Sequence, residues 1–169
     1  MGGTTAKICF IGQGRPEQSR KFEVARVWRN LKGSGLPVRI PVTEMVEIGA
    51  GGGSIARLDE LKRIQVGPAS AGAEPGPACY GRGGREPTVT DANVALGRID
   101  PDAFAGGTLQ LDRAAAERAI TARVGGALAM DAGWAAAGIA EIVEENMASA
   151  ARVHAIERGK VAERCTMIA

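Results

Sequence analysis

Histidine is almost missing from this sequence: His154 is the single one among 169 residues. Most transition-metal sites draw on several imidazoles or thiolates, so a histidine-based metal centre is excluded. The three cysteines, Cys9, Cys79 and Cys165, are odd in number, far apart and form no CxxC pair. A disulfide framework and a thiolate zinc site are excluded with them, and the three read as structural free thiols. Aromatic residues make up only 4% of the chain. No window reaches the roughly 18 uninterrupted apolar residues that a membrane span needs. The opening Met1-Gly2-Gly3-Thr4-Thr5-Ala6-Lys7 lacks the charged-then-apolar layout of a signal peptide, so the expected location is cytoplasmic, without a membrane partner. Charge is nearly balanced, with 21 basic against 19 acidic side chains and both signs spread along the sequence. No basic stripe stands out, and nucleic-acid binding finds no support.

Glycine is what the chain has in excess. It numbers 24, against about 12 at average usage. Glycine is entropically costly, so an excess requires turns, positive φ, or backbone brought close to something. Most of it falls in the first half, where function is therefore sought.

The length fits one domain with a real core. Ala6 to Ile11 suits a short strand, Gly12 to Pro16 a turn, and Ser19 to Trp28 a second strand. Leu36 to Val46 is extended, because Pro37 and Pro41 remove donors and keep their predecessors out of the helical region. Ser54 to Leu58 and Ile64 to Val66 read as strands joined by a polar turn around Asp59-Glu60. Residues 67–87 carry Gly and Pro with almost no periodicity; their low charge favours an ordered loop that faces a ligand or an interface. Thr90-Asp91 is a candidate cap for a helix from Ala92 to Leu96, Asp112 for one from Arg113 to Val124, and Asp131 for a long one reaching Arg158. On that last helix Ile139, Val143, Met147, Ala150 and His154 share a stripe, which reads as a packed face. Glu141, Glu144 and Glu145 lie mostly elsewhere and read as solvated. Cys165 to Ala169 resembles the start of a strand. The organisation is thus a strand-rich part over 1–66, a Gly/Pro loop over 67–87 and a mainly helical part over 88–169.

Two segments could carry chemistry. Gly2-Gly3-Thr4-Thr5 precedes a strand, where backbone N–H groups and two hydroxyls can converge on a phosphate; the alternative is a loose terminus. Gly49-Ala50-Gly51-Gly52-Gly53-Ser54 is the stronger signal. Three successive glycines make sense where backbone approaches a phosphate or another chain segment closely, with Ser54 Oγ as an added donor; the alternative is a tight β-turn. Neither segment is a P-loop or a Rossmann loop, since GxxxxGK[ST] and GxGxxG are both absent. GxSxG is absent as well, which removes an α/β-hydrolase elbow. Among nearby acids, Asp91 and Glu47 are weak catalytic candidates and Glu44 another that could orient a metal–nucleotide or a water; surface or capping roles compete for each.

The strings EMVEIGAGGGSIARLD, VGPASAGAEPGPACYGRGG, PTVTDANVALGRIDP and ENMASAARVHAIERG together resemble the A subunit of the hydantoinase/oxoprolinase family. The likeness runs over nearly the whole chain in consistent order. It implies an α/β fold, a partial lobe of the actin/Hsp70-like (ribonuclease H-like) ATPases, with a mixed sheet followed by helices. It also implies ATP and Mg2+ as cofactors and phosphorylation of a carbonyl oxygen in a hydantoin or 5-oxoproline-like ring. A B-type subunit or domain is implied as partner, a small cyclic amide as substrate, and an oligomer for the full-length parent. A ketone carboxylase subunit, and a non-catalytic docking module using the 67–87 loop, are the alternatives. Matched to the family's motifs, Gly2, Gly3, Thr4 and Thr5 correspond to a second phosphate motif whose leading Asp would precede Met1. Gly51, Gly52, Gly53 and Ser54 correspond to a second Gly-rich loop near the cleft. Gly76 to Gly81 match a family signature without an assigned role. With the first lobe and the adenosine loop outside the sequence, the resemblance implies an internal section that binds ATP poorly on its own.

Overall fold

The computed structural model describes residues 1–25, 27–28 and 33–168. The chain divides into two compact units, one of residues 1–6 and 48–169, the other of residues 7–47. Strands come first and helices second, a mixed α/β arrangement.

The unit of residues 7–47 is a ribbon of short strands. β1 (Ala6–Cys9) pairs with β8 (Met45–Ile48), β2 (Ile11–Gly12) with β3 (Arg15–Pro16), β4 (Gln18–Ser19) with β7 (Val42–Thr43), and β5 (Phe22–Val24) with β6 (Leu36–Val38). The last three pairs are antiparallel. The two long extended stretches expected from the sequence are therefore broken, and the part of the first that falls on Arg26 lies outside the described residues. Pro37 and Pro41 cannot donate to a ladder, which keeps each run short. Among the described residues the strands pair two by two, rather than joining in the mixed sheet expected.

In the larger unit, β9 (Ser54–Leu58) and β10 (Ile64–Ser70) form an antiparallel hairpin with Ile64 opposite Leu58 and Val66 opposite Ala56. The register slips between Val66 and Ser70, where Gly67 takes a φ of +70°. Asp59 builds the turn: its Oδ1 accepts the Leu61 and Arg63 N–H groups at 2.9 and 2.8 Å, and its Oδ2 accepts Arg63 Nε at 2.7 Å. These bonds, the Arg63 backbone bond first, hold the Asp59 carboxyl below the usual range.

Four helices follow: α1 (Val89–Ala95), α2 (Arg113–Ile120), the short α3 (Gly126–Leu128) and α4 (Ala132–Glu157). The caps at Asp112 and Asp131 form as expected, accepting from Ala115 N and Trp134 N. The α1 cap is Thr88 rather than Thr90-Asp91; Asp91 is the third helical residue and closes a capping box with Thr88. The helix expected to reach Val124 instead widens into a π turn over Thr121–Gly125. Ile120 and Val124 are both in the core, neither of them exposed. α4 buries Ala135, Ala136, Ile139, Ala140 and Val143, and again His154, while Met147 and Ala150 are half-buried. Glu141, Glu144 and Glu145 are exposed; Arg98 pairs with Glu144 and Arg152 with Glu145. Residues 165–168 form no strand. Among the described residues no single helix is long and apolar enough to cross a membrane.

The core joins Ala56 of β9, Val89 and Ala92 of α1, Ile120 and Val124, and the buried stripe of α4. Alanine dominates it, so hairpin and helices approach closely with little side-chain volume between them. A smaller cluster of Cys79, Val94, Leu111 and Ala116 lies under the loop that precedes α1.

Candidate functional site

The two glycine segments singled out in the sequence meet in the larger unit. Gly52 N–H donates to Gly2 O at 2.9 Å and Gly53 N–H to Gly3 O at 2.7 Å, like rungs of a ladder. On the other side, Gly52 O accepts the Thr90 N–H at 2.8 Å and the Thr90 hydroxyl at 2.9 Å, while Gly53 O accepts Ala71 N–H at 2.8 Å. Ser54 is buried, and its Oγ accepts the Gly51 N–H at 2.9 Å.

All three glycines are required by space. A Cβ on Gly51 would lie 2.6 Å from Gly3 C and Thr4 N; one on Gly52, 2.7 Å from Thr90 Oγ1; one on Gly53, 2.8 Å from Ser70 Oγ. The close approach anticipated for this run is thus an approach to Gly2-Gly3, Thr90 and Ser70. Its amides are turned inward: the N–H groups from Ala50 to Ser54 each donate within the protein. The loop therefore acts as the backing of the Gly2–Thr5 segment rather than presenting its own donors.

The segment in front keeps donors to spare. Gly2 N–H closes a turn onto Thr5 O at 2.9 Å. Among the described residues, the Gly3 and Thr4 N–H groups and the Thr4 and Thr5 hydroxyls make no hydrogen bond. Gly2, Gly3 and Thr4 are exposed and Thr5 is half-buried, immediately before buried Ala6. Two neighbouring N–H groups and two hydroxyls on a backbone clamped from behind suit an anionic oxygen cluster such as phosphate, because the donors are ordered before the ligand arrives.

Asp91 lies behind this seam. Fully buried, its carboxylate accepts Ala78 N–H at 3.2 Å, Cys79 N–H at 2.7 Å, and the Thr88 N–H and hydroxyl, each at 2.8 Å. Four donors, three to Oδ2 and one to Oδ1, engage it from within the protein, so its work here is to hold backbone. It fixes the start of α1, and the neighbouring Thr90 grips Gly52. The same carboxylate pins the Pro77–Tyr80 turn, and the 67–87 loop is ordered largely by its own burial of Gly76, Pro77, Ala78 and Cys79. Burial, and then the Asp91 charge, push the Cys79 thiol well above its ordinary range; it stays protonated at neutral pH and is a poor nucleophile. Glu47 is exposed on β8 in the ribbon, and Glu44 is half-buried there.

Thr88 was not singled out in the sequence, and Thr90 was expected only as part of a helix cap, not as a partner of Gly52. The spacing Thr88-x-x-Asp91 is the signature of a capping box and could have located the first. Nothing local reports Thr90, whose partner Gly52 is 38 residues away.

Among the described residues no three His, Cys, Asp or Glu side chains gather into a metal cage. A magnesium ion carried on nucleotide phosphates needs only one or two protein carboxylates. The Asp91 carboxylate is turned to backbone and hydroxyl donors inside the protein.

A sequence profile of the hydantoinase/oxoprolinase family matches residues 1–169. The caprolactamase subunit alpha of Pseudomonas jessenii is 43% identical over 159 residues, covering 94% of this chain and 22% of that protein. Its crystal structure, described as an ATP-dependent caprolactamase, superposes with a TM-score of 0.77. The acetophenone carboxylase gamma subunit of Aromatoleum aromaticum is 46% identical over 160 residues, covering 94% of this chain and 21% of that one. A nucleotide-free acetone carboxylase, from work on ATP-dependent acetone carboxylation, superposes with a TM-score of 0.78 at 30% identity, over 95% of this chain and 21% of its own. The chain thus spans about a fifth of the length of these relatives.

Proposed function

The chain belongs to the hydantoinase/oxoprolinase family, and from that premise we propose that it is a section of a subunit that uses ATP to activate a carbonyl group, with a cyclic amide as substrate. The carrying observation is the exposed Gly2–Thr4 backbone with its spare donors, backed by Gly51–Gly53 through two rungs of 2.9 and 2.7 Å. Phosphoryl transfer is mostly positioning and charge stabilisation, and a clamped backbone with spare donors supplies both.

The chemistry explains the use of ATP. Resonance makes an amide carbonyl a poor electrophile. The carbonyl oxygen attacks the γ-phosphorus, a C–O–P linkage forms, and the bond to the β-phosphate oxygen breaks with ADP leaving. Water then adds to the activated carbon and the ring C–N bond breaks, the nitrogen taking up a proton as it leaves, to give an acyl phosphate. A second water attacks that carbonyl, the bond from its carbon to the phosphorus-bound oxygen breaks, and phosphate departs from the free carboxylate. In this reading Gly3, Thr4 and Thr5 contact nucleotide phosphate, and Gly51, Gly52, Gly53 and Ser54 hold them in place. The fold is read as part of an actin/Hsp70-like lobe, the nucleotide arriving with Mg2+ and the companion being a B-type subunit, in the cytoplasm where ATP is available. Two ATP-dependent relatives, one named for a lactam and one for a ketone, support the shared carbonyl activation. The 46% identity to an acetophenone carboxylase subunit favours a ketone as the second reading.

The test is phosphate release from ATP by the complete enzyme, offered a hydantoin, 5-oxoproline, a lactam, or a ketone with bicarbonate. Release driven by a ring amide is expected. Release driven only by the ketone would replace the first reading with the second, and release with none of them would overturn both.

A further inference from the structure

The capping box at the start of α1 occupies Thr88 and Asp91 and leaves Thr90, between them, free of capping work. A threonine inside a helix commonly turns its hydroxyl back to a carbonyl three or four residues earlier. Thr90 is buried and does otherwise. It donates its N–H at 2.8 Å and its hydroxyl at 2.9 Å to the same acceptor, Gly52 O, 38 residues away in sequence. The bare Cα of Gly52 makes room for this approach, since a Cβ there would stand 2.7 Å from Thr90 Oγ1.

The carbonyl that Thr90 holds leads to the phosphate segment one peptide group at a time. Gly52 C=O shares a peptide group with Gly53 N–H, which donates to Gly3 O at 2.7 Å. Gly3 C=O in turn shares a peptide group with Thr4 N–H, one of the spare donors. In a trans peptide the C=O and N–H dipoles are aligned, so a bond accepted at oxygen strengthens the donor at nitrogen. Two donors at the head of this relay therefore bear on one amide at its foot. The Gly3 N–H ends a second relay: Ala71 N–H to Gly53 O at 2.8 Å, Ser54 N–H to Gly51 O at 3.0 Å, then Gly52 N–H to Gly2 O at 2.9 Å. Among the described residues that second relay is backbone from end to end, whereas the first begins at a side chain.

We propose that Thr90 is a positioning residue for nucleotide phosphate: through the Gly52–Gly53 and Gly3–Thr4 peptide groups, its hydroxyl aims and polarises the Thr4 N–H. The inference rests on the reading above that Gly3, Thr4 and Thr5 meet phosphate. It adds a residue of the helical half that acts on the ligand through backbone.

The test is steady-state kinetics of the complete enzyme carrying Thr90→Ala, which removes the hydroxyl, and Thr90→Ser, which keeps it. Polarisation contributes about 10–30% per bond, so Thr90→Ala should raise KM for ATP about two- to fourfold. The KM for the carbonyl substrate should not move, and Thr90→Ser should restore the wild-type KM for ATP. Gly52→Ala, which turns the same hydroxyl aside, should raise KM for ATP to a similar extent and give a second reading should Thr90→Ala not fold. The double variant should show no further rise. Asp59→Asn, destabilising but remote from the relay, should leave KM for ATP unchanged. A rise in Thr90→Ala that serine does not restore, or that Asp59→Asn matches, would mean general loosening and overturn the relay. Unchanged KM for ATP in Thr90→Ala and Gly52→Ala, with a rise in Thr4→Val, would overturn the relay and leave the phosphate reading intact. No rise in any of the three would overturn both.

Discussion

Replacing Gly52 with alanine has a cost that one neighbour sets. The new Cβ meets Thr90 Oγ1 at 2.7 Å, while the next atom, Gly2 O, is 4.0 Å away. Ordinary contact begins near 3.5 Å, so the overlap is about 0.8 Å with a single oxygen. Relieving it means turning the Thr90 hydroxyl away from Gly52 O, now 2.9 Å distant, or shifting backbone. Overpacking of this kind costs about 1–3 kcal/mol. The φ of Gly52 is not left-handed, so alanine also gains about 0.4–1 kcal/mol by restricting the unfolded chain, leaving a net loss of about 1–2 kcal/mol. Thr90→Ala alone forfeits one hydroxyl hydrogen bond, about 1 kcal/mol, while the 2.8 Å bond from Thr90 N–H remains. In that background the overlap disappears, and adding Gly52→Ala becomes neutral or slightly stabilising. Urea unfolding of the four chains, followed by far-UV circular dichroism, reads the coupling directly. A coupling of about 1–3 kcal/mol is expected between these neighbours. Additivity within about 0.5 kcal/mol would refute the claim that Gly52 is a glycine because of Thr90.

Other consequences follow from the same packing. Gly51→Ala meets backbone, Gly3 C and Thr4 N at 2.6 Å, so no single side-chain deletion rescues it; proteolysis should then cut near residues 2–5 faster than in the wild type. Asp91→Ala orphans the buried N–H groups of Ala78, Cys79 and Thr88, each worth about 1–3 kcal/mol when unmet, and should be among the most destabilising single changes by urea titration. The Asp59 carboxyl is depressed when folded, so its contribution is present above the unfolded-state value and fades as pH falls through the folded one. Asp59→Asn should therefore lower the urea midpoint at pH 7 and converge with the wild type once the pH has fallen through that lowered value.

The helical half could be read in the sequence because its signals are local. Asp112 and Asp131 cap the helices they were expected to cap, and the Ile139/Val143 stripe is buried, since period and cap lie within a few residues of each other. The first half resisted for the opposite reason. The glycines of Gly51–Gly53 announced a close approach, but the partners, Gly3 about fifty residues before and Thr90 about forty after, carry no pattern that links them. The role of Asp91 was hidden at shorter range, since the N–H groups of residues 78 and 79 that it accepts belong to a loop with no periodicity. In residues 7–47 the extended stretches were legible, but not their division into short two-stranded pairs, because partners such as Ser19 and Val42 lie far apart in the sequence.

The central claim is that Gly3, Thr4 and Thr5 face nucleotide phosphate from a backbone braced by Gly51–Gly53. Its most direct test is the KM for ATP of the complete enzyme carrying Thr4→Val or Thr5→Val, which remove a hydroxyl and keep the shape. Hydrogen bonds to a charged group contribute about 1.5–3 kcal/mol, so KM for ATP should rise about 10- to 100-fold while the KM for the carbonyl substrate stays near its wild-type value. An unchanged KM for ATP in both variants, with turnover intact, would contradict the account.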